Sequence, residues 1–223
     1  MKLVHPEWEK QIVFDFKRVP LVSIENPTCY YQVVEELYQQ TEGKEGAFVL
    51  SDDGEILDFR KHVQLLVSPW TMDFSTTAVT KRLCNRLQEE ANSEQHYMQT
   101  KEVMQHILRY LQELEQELPI PLTYDWNPDV ANLFKAVHVQ VDTSDLNVME
   151  KMIEYMKLWT ELFGKTCFIF NQFRTYLPKS MRKEFYTCLM EEEIPFLLLE
   201  GACHDTIEEE SCLIIDEDLC QIF

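Results

Sequence analysis

The stretch FGKTCFIFNQ, Phe163 to Gln172, contains the triplet Gly164-Lys165-Thr166 that closes a phosphate-binding loop, directly ahead of an apolar run. Such a loop requires G-x-x-x-x-G-K-[ST] after a strand and at the opening of a helix, so that successive backbone N–H groups and the helix N-terminus point at the phosphates. Both conditions fail. Trp159 stands where the first glycine must be, and the elements run in the opposite order. MEKMIEYMKLWTELF has the period of an amphipathic helix and leads into the triplet, whereas TCFIF has the apolar continuity of a buried strand and leaves it. Gly164 is then a helix C-cap and Lys165 a turn residue, and no nucleotide site is expected.

On either side of this junction short β-rich runs recur: MKLVH, QIVFDF, PLVSI, AFVL, VQLLV, AVHVQV, FLLLE and SCLII. Several are continuously apolar, as strands covered on both faces of a parallel sheet are. Helical patterns fall between them in TCYYQVVEELYQQ and PKSMRKEFYTCLMEE, so the chain reads as α/β with a mostly parallel sheet. SDDGEIL is a tight turn or hairpin. The first strand-to-helix turn, where a hydrolase would place its phosphate loop, offers Glu25, Asn26 and Pro27, a short anionic turn that repels phosphate.

One stretch breaks the alternation. DFSTTAVTKRLCNRLQEE and SEQHYMQTKEVMQHILRYLQELEQEL are two long helical patterns with no strand between them, closed by the proline-rich LPIPLTYDWNPD. Ser75 or Thr76 is expected to cap the first helix and Ser93 the second. The pair projects as an arm whose apolar positions, Leu83, Leu87, Ile107 and Leu111, need a partner chain, or else it lies flat on the sheet.

A formal charge of −19 argues against a generally basic surface, although cations gathered on one face, multiplied by oligomer symmetry or helped by a divalent cation, still allow binding to a polyanion. The seven cysteines are scattered without a C-x-x-C pair, which points away from a disulfide framework or zinc knuckle and toward a reducing compartment. MKLVHPEWEK has no apolar signal core and no run reaches membrane-spanning length, so a cytoplasmic location without membrane association is expected.

Several segments together resemble the Csn-two family, the spacer-adaptation proteins of type II-A CRISPR systems. They are LLVSPWTMDFSTTAVTKRL, VHVQVDTSDLNVMEKM, GKTCFIFNQFRTYL, IPFLLLE and SCLIIDEDL, spread in order from residue 45 to residue 220. The resemblance implies a head like a degenerate P-loop hydrolase with an inserted α-helical leg. It divides the chain into a first part of the head at 1–72, the leg at 73–126 and a second part of the head at 127–223. It further implies a non-enzymatic homotetrameric ring that binds double-stranded DNA ends through a lysine-lined hole. Calcium assists, no nucleotide is bound, and the partners are the CRISPR integrase and effector nuclease.

The cations expected to meet DNA phosphates are Arg60 and Lys61 in one turn, and Lys179, Arg182 and Lys183, which at i, i+3 and i+4 share one helix face. Arg82 and Arg86 share a face beside Lys81 in the same way. For calcium the segment ELPIPLTYDWNPD offers Glu117 and Asp125, with prolines and a threonine where the family tends to carry acids. Asp142 with Asp145 and Asp216 with Asp218 read as turn or cap residues before they read as nuclease metal pairs. His138 reads as a core residue of an apolar strand, and Cys203 beside His204 lacks the geometry of a nucleophile and its base. The rival readings are a metal-dependent nuclease, a nucleotide hydrolase with an unusual loop, and an acidic protein-binding scaffold.

Overall fold

The computed structural model describes residues 1–202 and 205–223 and divides into two compact units, one formed by 1–72 and 143–223, the other by 73–142. In the first unit the chain begins with β1 (Lys2–Val4), β2 (Ile12–Val13), β3 (Val19–Ile24), α1 (Pro27–Thr41), β4 (Val49–Asp52), β5 (Glu55–Ile56), α2 (Phe59–His62) and β6 (Val63–Leu66). The second unit carries α3 (Thr77–Ala91), α4 (Tyr97–Glu115) and α5 (Val130–Ala136). The first unit resumes with α6 (Val148–Phe163), β7 (Cys167–Asn171), α7 (Lys179–Glu191), β8 (Phe196–Glu200), β9 (Glu210–Ile215) and β10 (Gln221–Ile222).

A six-stranded sheet in the order β10-β9-β3-β8-β7-β6 is parallel throughout except for β10, which pairs antiparallel with β9. The α/β class and the mostly parallel sheet read from the sequence are therefore correct. MKLVH, QIVF and AFVL do not join that sheet. They form a separate antiparallel sheet in the order β2-β1-β4-β5, closed by the hairpin at Asp53-Gly54, where φ values of 48 and 86° match a type I′ turn. Their short length and the alternate exposure of β1 suit a sheet covered on one face.

The core follows from the alternation of the strands. Val22, Ile24, Ile169, Leu197, Leu199 and Leu213 face Val33 and Leu37 of α1 and the apolar side of the small sheet. On the opposite face Phe170, Phe173, Phe185, Tyr186 and Phe196 form an aromatic cluster with ring centroids 4.7–6.3 Å apart, which anchors α7 on β7 and β8. Helix α6 opens with a reciprocal capping box between Asn147 and Glu150 and packs beside α7.

In the second unit Thr76 caps α3 by accepting from the Val79 N–H at 3.2 Å. Ser93 does not cap α4, which starts four residues later at Tyr97; the Ser93 carbonyl accepts the first helical N–H and its hydroxyl is buried. Asp129 caps α5 and also accepts from Gln88 of α3 at 2.9 and 3.0 Å, so one carboxylate joins two helices. AVHVQV is not a strand. Its first residue ends α5, Val137 and His138 form the turn that closes the helix, and His138 adopts a left-handed φ of 51° with its side chain exposed, not in the core. Among the described residues no helix is long and apolar enough to cross a membrane.

Candidate nucleic-acid interface

The position at which a phosphate loop would lie is the turn from β3 into α1, and its donors are already used. Asn26 caps α1: its Oδ1 accepts from the Thr28 and Cys29 N–H groups at 3.0 Å each, and its Nδ2 donates to the Glu217 carbonyl at 3.0 Å. The Glu25 N–H donates to the Ile215 carbonyl at 2.8 Å. A phosphate would have to displace this cap beside the Glu25 carboxylate, which Coulomb repulsion opposes.

The Gly164-Lys165-Thr166 turn is equally committed. Gly164 ends α6 with φ at 86° and donates its N–H to the Thr160 carbonyl at 2.9 Å. Lys165 pairs with Asp52 of β4 at 2.8 Å, its carbonyl accepts from the His62 ring at 2.8 Å, and the fully buried Thr166 hydroxyl donates to the Gly164 carbonyl at 3.0 Å. Trp159, at the missing glycine's place, is a helical residue stacked on Phe163 at 4.3 Å.

The proposed DNA-facing cations fall into distinct environments. Lys61 and Asp58 are paired at 3.2 Å, and Asp58 also caps α2 by accepting from the Arg60 N–H, leaving the Arg60 side chain beside a shallow groove with Tyr38 and Gln64. Lys179 and Lys183 are exposed on α7 and paired with Asp205 at 3.8 Å and Glu209 at 2.6 Å. Arg182 is not on their face. It is buried, with Nε donating to the Leu177 carbonyl at 3.1 Å and Nη1 3.7 Å from Asp205. The signal for this was present: Arg182 stands three, four and seven residues before Phe185, Tyr186 and Leu189, the apolar stripe of α7. Arg86 pairs with Glu89 at 3.1 Å.

Arg182 belongs to an interior polar cluster that sequence reading did not single out. The Arg174 side chain is largely covered and lies 3.7 Å from Glu210, whose carboxylate accepts from the Tyr186 hydroxyl at 2.9 Å and the Ile207 N–H at 3.1 Å. Glu200, at the end of β8, accepts the Arg174 N–H at 2.9 Å, and burial raises its carboxyl pKa above the usual range. Nearby, Tyr30 donates to Asn171 at 2.5 Å and its phenol is pushed up to about 12, chiefly by burial. Glu200 and Glu210 are each answered by donors, which is the arrangement of a structural clasp.

Glu117 and Asp125 are both exposed, and the Asp125 carboxylate accepts from the Asn127 N–H at 2.9 Å. It is Glu115 that shapes this segment, accepting from the Leu122 N–H at 2.7 Å and the Tyr124 hydroxyl at 3.1 Å. Among the described residues no three of His, Cys, Asp and Glu gather in a metal-binding group. Asp216 is a turn residue, accepting from the Asp218 and Cys220 N–H groups at 3.0 and 2.7 Å. Cys203 and His204 lie outside the described residues.

The fold and these sites define an α/β protein with a helical second unit, whose phosphate-loop position is filled by its own helix cap. A family model for CRISPR-associated protein (Cas_Csn2) matches residues 40–219, and the chain belongs to that family. Membership implies a role in CRISPR adaptation. Among curated proteins none matches the chain.

Proposed function

We propose that this chain is a non-enzymatic protein that binds double-stranded DNA ends as a homotetrameric ring during the acquisition of new spacers. It would act in the cytoplasm beside the CRISPR integrase and effector nuclease. The observation that carries this reading is the family match over residues 40–219. Two features support it. Asn26 occupies the donors a nucleotide would need, which suits a hydrolase-like head without hydrolysis. On α4, Val103, Tyr110, Leu111 and Leu114 are exposed at spacings of seven, eight and eleven residues, an apolar stripe that a second copy would cover.

In this reading Arg60, Lys61, Lys179 and Lys183 contribute to a collar, and each acts four times in a ring. Arg182 is left out because its side chain holds the Leu177 carbonyl inside the fold. Exposed ion pairs such as Lys183 with Glu209 are weak, so a duplex phosphate can exchange for the carboxylate.

Gel-shift titration of linear against covalently closed circular duplex tests the proposal. A ring threads DNA through an end, so linear duplex should bind and closed circles should bind poorly. Equal affinity for both would exclude threading. The pairing of Lys61, Lys179 and Lys183 with carboxylates favours one second reading, an acidic protein-binding scaffold. That reading is adopted if no duplex binds at low salt, with or without calcium.

A further inference from the structure

The three lysines of the proposed collar have one property in common that three other cations lack. Lys61, Lys179 and Lys183 each face a carboxylate within 4.0 Å. Lys10, Lys17 and Arg18 instead line an open cavity of about 440 Å³ beside β2, β3 and β9, and among the described residues no carboxylate lies within that distance of any of them. The balance is the reverse of the chain's own, which has 39 acids to 20 lysines and arginines.

We propose that this cavity is a binding site for a phosphate-bearing anion. Its floor is apolar, with Ile12, Pro20 and Leu213 buried. Asp15 is the one acid among the described lining residues, and its Oδ1 is engaged by the Lys17 N–H at 3.1 Å. The lining side chains number three cations to one carboxylate, a balance that suits a phosphate group. Lys10 is already held by its ammonium 3.8 Å above the Phe223 ring, so it is placed before any anion arrives.

The backbone explains how Lys17 and Arg18 reach the cavity together. Phe16 has a left-handed φ of 57°, a conformation that costs a bulky residue energy and needs support from its surroundings. Phe16 lines a small apolar recess together with Met190, Ile194 and Phe196. The next two residues, Lys17 and Arg18, both line the cavity. All three cations precede residue 40, where the family match begins, so the site goes beyond the function proposed above and does not depend on it. The phosphate can be presented by a nucleic-acid backbone or by a free polyphosphate.

The test uses the full chain and the triple variant Lys10→Gln/Lys17→Gln/Arg18→Gln, with Lys44→Gln/Lys135→Gln, two exposed lysines outside both the cavity and the collar, as control and circular dichroism to confirm folding. Inorganic tripolyphosphate is titrated calorimetrically at low salt. The parent and the control should bind it, the groove variant should bind roughly tenfold or more weakly, and the parent's affinity should fall steeply with added salt. The single variant Lys17→Gln should show an intermediate loss should the triple variant fold poorly. A parent that does not bind tripolyphosphate, or a groove variant that binds like the parent, overturns the proposal. A parallel titration with linear duplex identifies the source: an equal loss in the groove variant assigns it to the DNA backbone, and unchanged duplex affinity assigns it to free polyphosphate. Failure of the parent to bind duplex at all overturns the DNA-ring reading and leaves the tripolyphosphate result to decide the groove.

Discussion

The Lys165 ammonium lies 2.8 Å from Asp52 Oδ2, so the lysine of the apparent phosphate-loop triplet is tied to the neighbouring antiparallel sheet. Its pKa is raised and that of Asp52 is lowered, in each case chiefly by this hydrogen bond. We therefore expect Lys165→Ala to leave the calorimetric response to ATP or GTP unchanged. Stoichiometric micromolar nucleotide binding that this variant abolishes would show that the turn is a nucleotide site after all.

The same pair gives a pH dependence. A carboxyl whose folded pKa is depressed contributes stability above its unfolded value of 3.8, and that contribution is lost as pH falls through the folded pKa. Asp52→Asn should lower Tm at pH 7, and the gap to the parent should close below pH 3.8. A gap that stays constant over that range would mean the pair is electrostatically inert. Glu200 acts in the opposite sense, since burial favours its protonated form, and it is common to both proteins in this comparison.

Arg182→Ala should destabilise the fold by about 2 kcal/mol, because the buried Leu177 carbonyl loses its donor and a cavity is left beside it. In thermal melts this is a fall of about 5 °C. Lys179→Glu and Lys183→Glu should leave the melt near that of the parent while weakening duplex binding. If Arg182→Ala melts like the parent and loses DNA, Arg182 turns outward in solution and belongs to the collar.

Replacing Val103, Tyr110 and Leu114 together by serine should remove the apolar stripe on α4 without unfolding the helix, since the three side chains are 41, 60 and 44% exposed. Multi-angle light scattering should then report a smaller species than the parent, for which the proposed ring predicts a tetramer. An unchanged tetramer would place the interface on another surface.

Duplex affinity should fall linearly on a log–log plot against salt, with little dependence on sequence, because phosphate contacts release counterions and read no base edges. Lys61→Gln should reduce the slope by about one unit for each copy that touches DNA. A salt-independent affinity, or a strong preference among sequences of equal length, would contradict binding through the backbone.

What was legible in the sequence was local. Continuous apolar runs such as PLVSI, TCFIF and FLLLE announced a parallel sheet, because only strands covered on both faces omit the polar alternation. Trp159 and the reversed order of helix and strand ruled out a phosphate loop at Gly164-Lys165-Thr166 from the letters alone. Asp53-Gly54 marked its hairpin, since both positions need positive φ. AVHVQV misled for the same local reason: alternating valines favour a strand, but helix α5 and its turn at His138 took the residues first.

The sequence determined the α/β class, the helical insertion and the absence of a phosphate-loop motif, since these depend on residue type and period within short windows. Only the tertiary structure decided which strands form the second sheet, that Arg182 faces inward while Lys179 and Lys183 face out, and that Lys10, Lys17 and Arg18 share a cavity with Leu213. The reason is that charge and burial are settled by what the fold brings from far along the chain. Asp52 reaches Lys165 and Asp205 reaches Arg182 across separations that no periodicity encodes.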